Sequence, residues 1–241
     1  PEAQEVFGQP MTVTCKPGAA SAVANSYVLA AAADGYTILN GSLSLPITLS
    51  TGADYKMEDF VGVAMFSDIT PCIAVRTDSP FNTIEDLKEY VNANPGTISW
   101  GHPGVGAALH VAGSLAFDSL GILDKLREVP FNGTNESVAQ LLGGHIDMVM
   151  SFPSTIQEQV RGGNAKILAV TGSERVEEFP DALTMVESGY DAVLTNWRGI
   201  FVRSDTPQEI IDVLEAGFAK IIQSDTFRER AEALGEPAVY M

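Results

Sequence analysis

The chain is poor in positive charge. Fourteen Lys and Arg stand against 31 Asp and Glu in 241 residues, a formal net charge of −17. A nucleic-acid binder needs a basic surface, and this composition excludes one. No basic cluster marks an anionic membrane patch, and no apolar run approaches the roughly 20 residues that span a bilayer. Cysteine is nearly missing: Cys15 and Cys72 are too few for a disulfide scaffold or a thiolate metal site. Both are expected to be small buried hydrophobes; each lies in a strand-like run, which leaves a bridge between them open. Histidine is scarce as well. His102 and His110 flank a glycine-rich stretch and His145 reads as a turn residue. No third ligand at suitable spacing is evident, so no metal is expected. No serine sits in a nucleophile elbow, Gly101-His-Pro-Gly-Val-Gly106 is not the dinucleotide fingerprint, and neither cysteine adjoins a histidine. No catalytic constellation is detected and no cofactor is implied. These residues contain no signal peptide.

What is present is a globular composition, 45% hydrophobic and 19% charged, ample for a core and for one or two domains. Strand-like and helix-like runs alternate. Strands are expected at Met11–Cys15, Tyr36–Leu39, Val61–Met65, Cys72–Arg76, near Ile98, and at Glu128–Phe131, Ile146–Met150, Ile167–Val170 and Thr195–Arg203. Helices are expected at Ala19–Ala33, Ile84–Asn92, from the glycine stretch to Leu120, and at Ser137–Leu142, Ile156–Arg161, Gln208–Ile222 and Asp225–Ala233. Such alternation implies an α/β fold with a largely parallel sheet.

Four short polar loops follow strands and precede helices: Asn40–Ser44 with Ser42, Leu43 and Ser44; Gly101–Ala107 with Gly104, Val105, Gly106 and Ala107; Asn132–Asn135 with Asn132, Gly133 and Thr134; and Ser151–Ser154 with Ser151, Phe152 and Ser154. In open α/β sheets ligands bind at the carboxyl edge of the strands. Thr, Asn and Ser there also serve as N-caps of their own helices; four such loops on one edge point to a shared polar cleft. The Gly101–His110 loop carries no Lys or Arg, so an anion there would be held by backbone N–H groups and the helix dipole. A carboxylate suits such donors. His110 is expected on the first helical turn, hydrogen-bonding the loop. Arg198, beside Trp197, offers a bidentate clamp for a carboxylate.

The order of local motifs resembles the Bug-type substrate-binding proteins of tripartite tricarboxylate transporters. It runs through Lys16-Pro17-Gly18-Ala19, Ala33-Asp34-Gly35-Tyr36-Thr37, Asn94-Pro95-Gly96 and Gly104-Val-Gly-Ala-Ala-Leu-His110. It continues through Val129-Pro-Phe-Asn-Gly133, Leu141-Leu-Gly-Gly-His-Ile-Asp147, Leu168-Ala-Val-Thr171, Phe179-Pro-Asp181, Trp197-Arg-Gly199 and Leu234-Gly235. The resemblance implies a two-lobed, type 2 periplasmic-binding-protein fold with a hinge and a ligand cleft between the lobes, its pocket loops at Ser42–Ser44, Gly104–Ala107, Phe131–Thr134 and Ser151–Ser154. One lobe would comprise residues 1–77 and 200–241, the other 78–199, with the hinge near Arg76–Ser79 and Arg198–Phe201. It implies a non-enzymatic, periplasmic or otherwise extracytoplasmic receptor. Its partners would be a small carboxylate or related solute and the membrane subunits of the transporter. A co-receptor for a sensor, or an enzyme on the same scaffold, are the alternatives. The resemblance also implies a further strand and Pro-Gly-Gly-type loop before residue 1 and a helix after the last residue.

Overall fold

A computed structural model of the chain describes residues 2–16, 21–50, 52–233, 236 and 238–241. The Pro17-Gly18-Ala19 and Leu234-Gly235 motifs fall outside them. Contacts divide the chain into two units, Pro1–Ile69 with Asn196–Met241, and Thr70–Thr195.

The first unit is built on β1 (Leu39–Ser42), β2 (Phe60–Ile69) and β8 (Asn196–Arg203), in the order β1-β8-β2 and antiparallel throughout. Helices α1 (Glu2–Phe7) and α8 (Gln208–Ile222) lie on one face. There Ile211, Leu214, Phe218 and Ile222 bury against Val63, Ile200 and Val202, and Phe7 meets Phe218 at 5.2 Å between ring centroids. The other face is covered from α2 (Ala22–Ala30) and α3 (Ser44–Ser50), through Val28, Leu39, Leu45, Tyr55 and Phe60. Met11–Cys15, expected as a strand, forms no ladder, and Cys15 is exposed rather than buried. A helix of nine residues, α9 (Asp225–Ala233), follows α8. This unit also contains a cavity of about 940 Å³ between Met11–Lys16 and Tyr36–Asn40, floored by Ile210, Val213 and Leu214. None of the expected ligand residues lines it.

The second unit holds a five-stranded sheet of order β5-β4-β6-β3-β7. Its strands are β3 (Cys72–Arg76), β4 (Ser99–His102), β5 (Arg127–Pro130), β6 (Met148–Ser151) and β7 (Ala165–Val170). β4 runs parallel to both β5 and β6, whereas β3 runs antiparallel to β6 and β7. The expectation of a largely parallel sheet is therefore corrected. Helices α4 (Ile84–Ala93), α5 (Ala108–Ser119), α6 (Thr134–Leu142) and α7 (Pro153–Arg161) cover both faces. A strand covered on both sides must be apolar at every position. In β3, Cys72, Ile73, Ala74 and Val75 are all fully buried, facing alternately the Trp100–Phe117 cluster and the Leu141–Ile156 cluster.

Cys72–Arg76 thus belongs to the second sheet, not to the first lobe, and Arg198–Phe201 lies inside β8 rather than at a crossover. A strand's allegiance is decided by its ladder partners, which are remote in sequence. Cys72 is a free thiol, pushed up to about 12 by burial, and Cys15 is free as well; the two form no bridge.

Candidate functional site

The parallel arrangement of β4, β5 and β6 brings three chain segments to one edge of the second sheet. His102, Pro130 and Ser151 end these strands, and α5, α6 and α7 start from the loops that follow. Ala107, Gly133 and Phe152 are the N-caps, and none makes a side-chain cap hydrogen bond. Thr134 and Ser154, expected as caps, sit one and two positions inside their helices instead. The first-turn N–H groups of an α-helix have no partner within the helix, so α5 and α6 present backbone donors at this edge; α7 adds its positive dipole end but fewer donors, since Pro153 at its first position has no N–H and the N–H of Thr155 donates to the carbonyl of Phe152 at 3.0 Å.

The helix on the opposite edge is different. α4 follows β3, which runs against β6. Its N-cap Thr83 accepts from the N–H of Asp86 at 3.1 Å, and Asp86 accepts from the N–H groups of Asn82 and Thr83 at 2.8 and 3.0 Å. This capping box satisfies α4 from its own side chains. The Asp86 carboxyl is held below its usual range by those two backbone donors.

The loops are tied to one another and to the core. The N–H of Phe131 donates to the carbonyl of His102 at 2.9 Å, linking the β4 and β5 loops. Gly104 and Gly106 have φ of +109° and +82°, a region that L side chains rarely adopt, so the turn requires glycine at both. Val105 between them is exposed. A Cβ on Gly113 would lie 2.4 Å from the Trp100 ring, so this glycine lets α5 settle onto the tryptophan beneath the loop. Phe152 packs against the Trp100 cluster and Phe131 against the Leu141 cluster. Ser151 is fully buried, its hydroxyl donating to the carbonyl of Phe152 at 3.3 Å.

Two of the three open helices, α5 and α6, are steadied by a side chain from the third position. In α6, Glu136 accepts from the N–H and the amide of Asn132 at 3.1 and 3.2 Å. In α5, His110 Nδ1 accepts from the N–H of Gly106 at 3.1 Å, the hydrogen bond expected of this residue. Burial pushes the His110 imidazole below its usual value; Glu128 opposes the shift and His102 adds to it.

Glu128 is the residue that the sequence reading missed. Its Oε1 lies 2.9 Å from His102 Nε2 and 3.3 Å from His110 Nε2. It stands where a third ligand would, and the three side chains place their donor atoms within 4.8 Å of one another. Two imidazoles and a carboxylate are a common zinc set. The hydrogen bonds disfavour that use: a nitrogen that accepts from Gly106 carries no proton, so the neutral His110 ring bears its proton on Nε2, where a metal would need the lone pair. The signal in sequence was weak, because Glu128 is one of 31 acidic residues and only the β4–β5 register brings it to the histidines.

The remaining expected residues lie in the first unit. Ser42, Leu43 and Ser44 join β1 to α3, so they belong to an antiparallel sheet and not to the edge shared by the other three loops. The Ser42 and Ser44 hydroxyls are 2.9 Å apart. Arg198 is directly opposite Ser42 on β1 and Ser67 on β2. Ser67 is buried, and its Oγ has no hydrogen-bond partner among the described residues. A serine in the apolar run of β2 was the available signal for it. The Arg198 guanidinium is already paired with Glu236, so a ligand carboxylate would have to displace this acid. Trp197 packs on Phe201, at 5.7 Å between centroids.

Among the described residues, no helix is long and apolar enough to cross a membrane. The profile of the tripartite tricarboxylate transporter family receptor, TctC, matches residues 1–241. A TctC solute-binding protein from Polaromonas, solved without ligand, is 29% identical, superposes with a TM-score of 0.86, and is covered over 82% of its length by all of this chain. MatC from Rhodopseudomonas palustris, solved with bound malate, is 25% identical with a TM-score of 0.80, covering 98% of this chain and 81% of MatC. Protein BugT of Bordetella pertussis is 28% identical over 98% of this chain and 74% of its own. A profile match over the whole length, joined to the superposition on a TctC solute-binding protein, places the chain in the tripartite tricarboxylate transporter receptor family, TctC.

Proposed function

We propose that the protein is an extracytoplasmic, non-enzymatic receptor for a small dicarboxylate, which it delivers unchanged to the membrane subunits of a tripartite tricarboxylate-type transporter. One observation carries this reading: α5, α6 and α7 begin side by side on one sheet edge with no side-chain caps, while α4 on the other edge caps itself. One ligand carboxylate is held there by backbone donors around Gly104–Ala107, Phe131–Thr134 and Ser151–Ser154. Hydrogen bonds to a charged acceptor are each worth about 1.5–3 kcal/mol. Four of them total about 6–12 kcal/mol before the cost of association, so the roughly 8 kcal/mol of micromolar binding calls for bonds at the strong end of that range. Malate bound to the MatC relative supports a four-carbon acid as the first candidate.

The test is calorimetric titration of the protein with malate, succinate, glutarate and adipate, with the matching monoamides as controls. Binding of at least one diacid, lost in its monoamide and recovered unchanged after incubation, is expected. Equal affinity for acid and amide would overturn the reading, as would turnover of the ligand.

A further inference from the structure

The His102–His110–Glu128 cluster sits directly behind the glycine loop, and holding a carboxylate at the helix N-termini does not by itself require it. Its hydrogen bonds allow one proton arrangement in the neutral state. His110 Nδ1 accepts from Gly106 at 3.1 Å, so its proton is on Nε2, pointing to Glu128 Oε1 at 3.3 Å. His102 is fully buried and its Nδ1 has no partner among the described residues. Its proton therefore also belongs on Nε2, 2.9 Å from the same oxygen. One carboxylate oxygen thus orients two rings, and one of those rings holds the amide of Gly106.

The other helices show why the ring matters. At the same third position α4 uses Asp86 and α6 uses Glu136 to catch the N–H just ahead of the helix. A carboxylate remains an acceptor down to acid pH, whereas an imidazole loses its accepting nitrogen when it takes up a proton. The titratable groups facing His110 are Glu128 from β5 and His102 from β4, with Trp100 stacked on the ring at 6.0 Å and no acid in the first turn of α5.

We infer that His110 is the positioning residue of the Gly104–Ala107 turn, keeping it in binding shape only while its imidazole is neutral, so that acid loosens the hold of α5 on the ligand. This rests on the dicarboxylate-receptor reading. Protonation at Nδ1 sets an N–H donor against the N–H of Gly106. The added charge brings little attraction for the ligand, since Glu128 touches the same ring. Burial opposes this proton uptake. The neutral arrangement is therefore intact above the ordinary histidine value of about 6.5 and is given up as pH falls toward the lowered one.

Nitrogen-15 spectra of the ligand-free protein, recorded across about pH 8 to 5, should show the Nε2–H tautomer of His110 and a Gly106 amide that moves with the His110 titration. Affinity for the tightest diacid of the panel should fall about tenfold over that range in the wild type relative to His110→Gln. The glutamine oxygen can accept from Gly106 at every pH, so this variant should keep the wild-type affinity at the alkaline end, while His110→Ala binds weakly throughout. An Nδ1–H tautomer, a Gly106 amide indifferent to His110, or matching pH profiles in wild type and His110→Gln would each overturn the inference. If no diacid binds at any pH the receptor reading falls, and the spectra still decide the link between His110 and Gly106.

Discussion

The two edges of the second sheet solve the same problem in opposite ways. On one, Thr83 and Asp86 turn inward and satisfy the start of α4. On the other, the caps of α5, α6 and α7 are Ala107, Gly133 and Phe152, none of which offers a side-chain acceptor. Leaving helix donors unmet costs stability unless water or a ligand meets them. The self-capped edge is built for the fold alone. The open edge lacks that local gain, and in the proposed receptor its donors serve the ligand.

Proline provides the sharpest way to break the open edge, because at the first helical position it removes an N–H while keeping the helix. Ala107 and Gly133 already have extended backbone, the conformation that a following proline prefers. Ala108→Pro and Thr134→Pro should each weaken diacid binding by roughly tenfold or more, the worth of one hydrogen bond to a charged group, with little change in Tm. Affinity by calorimetry and Tm by scanning calorimetry check both halves. An equal loss of Tm in the absence of ligand would mean that the edge is structural.

The capped edge should respond in reverse. Thr83→Ala should cost about 1 kcal/mol of stability in denaturant titration and leave diacid affinity unchanged. A smaller effect concerns acid. The Asp86 carboxyl lies below its ordinary value because backbone N–H groups favour its charged form. It therefore contributes stability that is whole above about pH 4 and is lost as pH falls toward the lowered value. Asp86→Asn should flatten that part of the stability-against-pH curve. Smallest of all, Thr134→Ala and Ser154→Ala should change stability by less than about 0.5 kcal/mol, since neither residue is a cap; urea denaturation measures this directly. A loss near 1 kcal/mol would return both to the role of ordinary caps.

The loops themselves were legible because glycine, proline and short polar runs punctuate a chain locally. Gly104, Gly106 and Gly133 mark turns whatever surrounds them, and Ser79-Pro80 with Thr83 and Asp86 announces α4 in one stretch of sequence. The amphipathic run Gln208–Ile222 was equally plain, and α8 occupies it. Other features were not readable in this way. Met11–Cys15 alternates like a strand but finds no ladder, and alternation alone cannot supply a neighbour. The seven residues of α3 are too short to show a helical period. Cys72–Arg76 looks the same whichever sheet it joins. Arg198 reads as a free cation until the chain returns Glu236 to it across 38 residues.

By itself, then, the order of residues determined an α/β chain of acidic surface, the start of each loop that borders the candidate site, and membership of a receptor family. Those properties depend on composition, on turn chemistry and on patterns within a dozen neighbours. Only the tertiary structure decided which loops share an edge, that three helices there are uncapped while a fourth is closed, and that Glu128 holds His102 and His110. Strand pairing and hydrogen bonds between remote residues are set by the free energy of the assembled sheet, and no local segment encodes its partner.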